Sequence, residues 1–222
     1  MADLQALLGR EKETVEWLRN KTATIGNLHE LYLSADNALL RFRKQFGMSV
    51  QLTWPVTHES GGGRILWLYV GGLIEWRKGV INASYFLCVA ADVSGGSKKH
   101  VLRKYHFDYA APVGTRNRPH PVFHLQYPGT LSSELAPELD DGHMDAYFEE
   151  PRVFCSPMSL ALVMHMAFWE FPDECTDRVR KDGYWLNSIL TRDQQCMWLP
   201  FHRKCVTLMN NRKILLDAAY GI

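Results

Sequence analysis

The sequence predicts an α+β fold: N-terminal helices, a four- to five-stranded antiparallel meander, and C-terminal helices. Three observations carry that expectation. Apolar residues recur at helical spacing near both ends of the chain, and a period of two takes over between them. The period-two segments are joined by connections too short for parallel crossovers. The expected organisation is a single domain, helical over 1–47, sheet over 48–128, a long loop over 129–152 and helical again over 153–222. A chain of 222 residues, 46% of them hydrophobic, can bury one sizeable core.

Each element has a local reason. A first helix is expected from about Asp3 to Lys21, with Gly26 in the break before a second. In that second segment Leu28, Leu31, Ala35, Leu39 and Phe42 lie near one stripe, and Gly47 stands where helices commonly end. In "SVQLTW", Val50, Leu52 and Trp54 alternate with polar neighbours, as a half-buried strand requires. "RILWLYVGGLIEW" and "INASYFLCVAADV" are rich in β-branched and aromatic residues, with only Arg77, Lys78 and Gly79 between them. A further strand is expected from about Val101 to Ala110. The segment "SPMSLALVMHMAFWEF" offers Ser156 as an N-cap, Pro157 at the first helical position and Pro172 as the stop. Shorter helices are expected around Trp185–Leu190 and in "VTLMNNRKILLDAAY".

Charge and cysteine content narrow the function classes. With 25 basic and 24 acidic residues the net charge is +1, so no global field draws the chain to nucleic acid or an anionic membrane. The basic stretch Lys98, Lys99, His100, Arg103 and Lys104 reads as a solvated face. Five cysteines without a CxxC pair suggest neither a disulfide framework nor a zinc ribbon. The charged N-terminal turns do not resemble a signal peptide, and no long uncharged apolar run occurs. The expectation is a cytoplasmic protein with no membrane partner.

The densest chemistry lies in "YHFDYAAPVGTRNRPHPVFHLQYPG". Strand alternation puts Val101, Arg103, Tyr105, Phe107 and Tyr109 on one face, and Leu102, Lys104, His106 and Asp108 on the other. Downstream, Pro121, Phe123, Leu125 and Tyr127 share a face, while His120, Val122, His124 and Gln126 point oppositely. Should the two strands adjoin, the polar rows meet, because cross-strand neighbours sit about 5 Å apart. Three readings stay open. His106, Asp108 and His124 could hold a divalent metal, the one cofactor the sequence offers. Alternatively His106 and His124 form a metal-free acid–base pair on a phosphodiester, with Asp108 orienting them and Arg116 and Arg118 on the phosphate. His120 and Gln126 would be further binding groups on that surface. The third reading is a polar sheet face that hydrogen-bonds to itself. Cys155, before a predicted helix, reads as a buried thiol.

The segments "KYHFDY", "HPVFHLQYPG" and "EEPRVFCSPMSLAL" together resemble an uncharacterised bacterial family of unknown function, over roughly residues 30 to 172. The resemblance implies a prokaryotic intracellular protein in a multi-gene defence or mobile-element setting, and it brings no activity with it. Helix-plus-meander architecture also occurs in small ribonuclease toxins, an analogy of fold alone. Two functions are therefore expected. One is an accessory subunit that binds a protein partner through aromatic residues and the 129–152 loop. The other is a nucleic-acid-acting phosphodiesterase or ribonuclease built on the His/Asp cluster. The neutral charge favours the first.

Overall fold

The period-two segments assemble into a sheet. The computed structural model describes residues 9–17, 20, 47–58, 64–77, 80–92, 99–110, 123–126, 139–140, 152–172 and 174–210. Its strands are β1 (Gly47–His58), β2 (Arg64–Arg77), β3 (Val80–Asp92), β4 (Lys99–Ala110), β5 (Phe123–Gln126), β6 (Leu139–Asp140) and β7 (Arg152–Phe154). Spatial order is β1-β2-β3-β4-β5-β7, with antiparallel neighbours, while β6 pairs β4 in parallel. Helix α1 covers 9–17. After β7 come α2 (Leu160–Glu170) and α3 (Glu174–Arg180). A helical segment then runs from 183 to 210, in which wide π-type turns at Trp185–Leu190 and Gln194–Trp198 flank α4 (Thr191–Asp193) and precede α5 (Leu199–Asn210).

The α+β class and the antiparallel sheet stand, but several boundaries move. Gly47 opens β1 rather than ending a helix, and the second predicted helix lies outside the described residues. The segment predicted as a loop contains β6, and β7 straddles its boundary with the C-terminal helical part. The helix after β7 starts later than predicted, with Ser159 rather than Ser156 as its N-cap. Ser159 wins because its hydroxyl does two jobs: Oγ accepts the Leu162 N–H at 3.3 Å and donates to Asp193 Oδ2 at 2.6 Å.

Both sheet faces are apolar, which alters the reading of β4. On one face Leu68, Val70, Ile74, Tyr85, Leu87, Val89 and Phe107 pack with buried α2 residues. α2 is buried nearly all round, as a helix between a sheet and further helices must be. On the other face Tyr69, Phe86, Cys88, Ala90 and Val101 form a second cluster. Val101 reaches it because Ala90 pairs Val101 while Val89 pairs Arg103, leaving Leu102 as an extra residue on β4. That bulge removes Val101 from the row of Tyr105, Phe107 and Tyr109, correcting the simple alternation. The predicted solvated basic face is corrected at one position as well, for Lys104 is fully buried.

Polar contacts fasten α1 to the sheet and to the C-terminal helices. Glu11 is fully buried, and its Oε1 accepts from the Tyr85 hydroxyl at 2.8 Å and from the Leu160 N–H at 3.5 Å. Arg192 forms ion pairs with Glu13 and with Asp193, the latter at 2.9 Å. Trp17 stacks on Trp185 with ring centroids 5.1 Å apart.

Candidate functional site

The strands carrying the predicted polar rows are neighbours. Asp108 lies opposite His124 in the β4–β5 register, and His106 lies opposite Gln126. The bulge at Leu102 sits ahead of this region, so the pairing from His106 to Tyr109 runs without interruption. Arg116, Arg118 and His120 lie outside the described residues, and for His124 and Gln126 only the backbone register is described.

The environment of His106 is apolar. Its Nε2 is buried without a hydrogen-bond partner among the described residues, and its ring lies 6.3 Å from that of Phe86. Burial pushes its pKa down to about 4, against the raising effect of Asp108 and with a smaller lowering effect from Lys104. With that pKa the imidazole is uncharged at neutral pH and so supplies no imidazolium acid, and as a base it is weak. Among the described residues no group of three or more histidine, cysteine, aspartate or glutamate side chains could hold a metal ion.

A cavity opens beside β4. It measures about 430 Å³ and lies between the sheet, the segment joining β7 to α2, and the last helical segment. Phe107, Tyr109, Phe123, Met158, Met197 and Phe201 supply most of its apolar wall. Phe123 holds the wall together, stacking on Tyr109 at 5.1 Å and meeting Phe201 edge-on at 5.7 Å. Arg10, Asp108 and Lys204 add charge at its border. Cys155 and Cys196 add thiols. The Cys155 N–H donates to the Phe123 carbonyl at 3.3 Å, which pins the segment after β7 beside β5. Burial, and then the Asp108 charge, push the Cys155 thiol up to about 12, so it stays protonated, as a structural thiol does.

Sequence reasoning placed Asp108 in the His106 cluster, read Cys155 as a buried thiol and missed the cavity. Its walls come from α1, β3, β4, β5, the β7–α2 segment, the Gln194–Trp198 turn and α5, so no local pattern announces it. One signal was available. In α5 Phe201 and Lys204 fall on one side by helical spacing, while Leu199, Val206 and Met209 fall on the other, marking a helix with two occupied faces.

Compared with protein-family models, curated proteins and solved structures, the chain matches none. The class that fold and site define is an α+β protein with an apolar cavity between its sheet and C-terminal helices. No described helix is long and apolar enough to cross a membrane.

Proposed function

We propose that the chain is a non-catalytic, cytoplasmic prokaryotic subunit of a multi-protein system, of the defence or mobile-element kind, that binds a protein partner. The observation carrying this reading is the outer face of α5. Leu199, Val206 and Met209 are 43%, 55% and 58% exposed and fall on one side of the helix. Single exposed apolar residues are ordinary, but a row at helical spacing suits a partner helix or groove. The 129–152 loop, the other element of this proposal, is described only at 139–140 and Arg152. The test is co-expression of the full chain with the proteins of adjacent genes. Wild type should co-elute with one of them, and a Val206→Asp, Met209→Asp double variant should elute alone while keeping its circular dichroism spectrum. Separate elution of the wild type from every one of them would refute the reading.

A second reading, a nuclease, draws support from the pairing of Asp108 with His124 and of His106 with Gln126. The lowered pKa of His106 and the burial of its Nε2 weigh against that reading. A nuclease assay on wild type, His106→Ala and His124→Ala, with and without chelator, decides it: activity lost in either folded variant would favour catalysis, and absence of activity throughout would remove it.

A further inference from the structure

We propose that the cavity beneath β4, β5 and α5 binds a small amphipathic anion, with an apolar chain or ring system as its body and a carboxylate as its head. A volume of about 430 Å³ suits such a molecule, since small-molecule sites run from roughly 300 to 1,000 Å³. The aromatic and methionine wall favours an apolar body, because apolar cavities stay dry and accept apolar guests. A heavily polar ligand, such as a nucleotide, would leave its groups without partners against that wall.

The charged groups choose the head. Among the described lining residues Arg10 and Lys204 outnumber Asp108, leaving one positive charge in excess there. The Arg10 Nε is a buried donor with no hydrogen-bond partner among the described residues, and a guanidinium with a donor to spare suits a carboxylate. Lys204 is exposed on α5 and approaches the border from the other side. An anion held between an arginine and a lysine, with its body lying against Phe107 and Phe123, satisfies both kinds of wall. His106 does not line the cavity, although its row neighbour Asp108 does, and the site does not depend on the partner-binding proposal.

Dodecanoate, dodecanol and dodecylammonium serve as probes, titrated by calorimetry into the full chain below their micellar concentrations. Dodecanoate should bind saturably and more tightly than either of the others. Lys204→Glu should weaken dodecanoate by about tenfold, the worth of one charge-assisted contact, and leave dodecanol unchanged. Location is read from thiol labelling. Cys196 is an exposed wall residue, so saturating dodecanoate should slow its alkylation by N-ethylmaleimide several-fold, while Cys205, which does not line the cavity, labels at an unchanged rate. Absence of saturable binding, a preference for dodecylammonium, or unprotected Cys196 in the saturated protein would each overturn the proposal.

Discussion

Glu11 shows how one buried carboxyl couples folding to pH. It is fully buried, and burial first, then the negative charge of Asp193, push its pKa up to about 7. The Tyr85 and Leu160 hydrogen bonds and Arg10 oppose that rise without cancelling it. A folded pKa above the unfolded value of 4.5 means that the folded chain holds this proton more tightly. Its contribution to stability is therefore full below about pH 4.5, declines as pH rises to about 7, and is gone above that. At about 1.4 kcal/mol per pKa unit the effect is at most roughly 3 kcal/mol. In thermal unfolding from pH 5 to 8, the stability of the wild type should fall relative to that of Glu11→Gln as pH rises. His106 acts in the opposite sense: its folded pKa, lowered from 6.5 to about 4, costs stability as pH falls through that window. The Glu11 effect is accordingly read as the difference between variant and wild type, which cancels the histidine.

Elements here are locked by a few close fits. Gly72 on β2 pairs Tyr85 on β3, and a Cβ at Gly72 would stand 2.5 Å from Tyr85 Cδ1. That ring cannot swing aside cheaply, because its hydroxyl is bonded to Glu11 and the side chain is buried. Gly72→Ala should destabilise the protein by about 1–3 kcal/mol, an overpacking effect, seen as a lower urea midpoint. Ser159 is the corresponding lock on α2. Ser159→Ala removes the cap on the Leu162 N–H and strips a hydrogen bond from the buried Asp193 carboxylate. Its cost should be roughly 2–4 kcal/mol, the sum of a lost cap and a buried acceptor left short of a partner. Ser159→Thr, which keeps the hydroxyl, should recover much of that loss in the same urea titration.

At the scale of the molecule, α1, α2 and the last described helical segment meet around Trp185. This side chain is fully buried, stacked on Trp17 of α1 at 5.1 Å and tilted against Phe168 of α2 at 5.8 Å. Trp185→Ala should cost about 3–5 kcal/mol, as large core truncations do. Hydrogen exchange in 9–17 should rise in the same variant, because α1 loses its stacking partner; unchanged protection there would mean that Glu11 and the Arg192 pairs hold α1 without it. Much of the architecture was readable beforehand for a physical reason. Alternation in β4 beyond its bulge and in β5 reports which residues share a face, and that follows from backbone geometry alone. The bulge at Leu102 was not readable, because it is set by the partner strand. The cap at Ser159 was not either, since Asp193 lies 34 residues away and selects it over Ser156. Sequence by itself determined the α+β class and the phase of β4 from Arg103 onward, both consequences of local periodicity. Tertiary structure alone decided that burial lowers the His106 pKa, that burial raises the Glu11 pKa and that a cavity opens beside Phe107, Tyr109 and Phe123. Those properties depend on burial and on groups far apart in the chain, Glu11 and Tyr85 being 74 residues apart, and no local pattern encodes either.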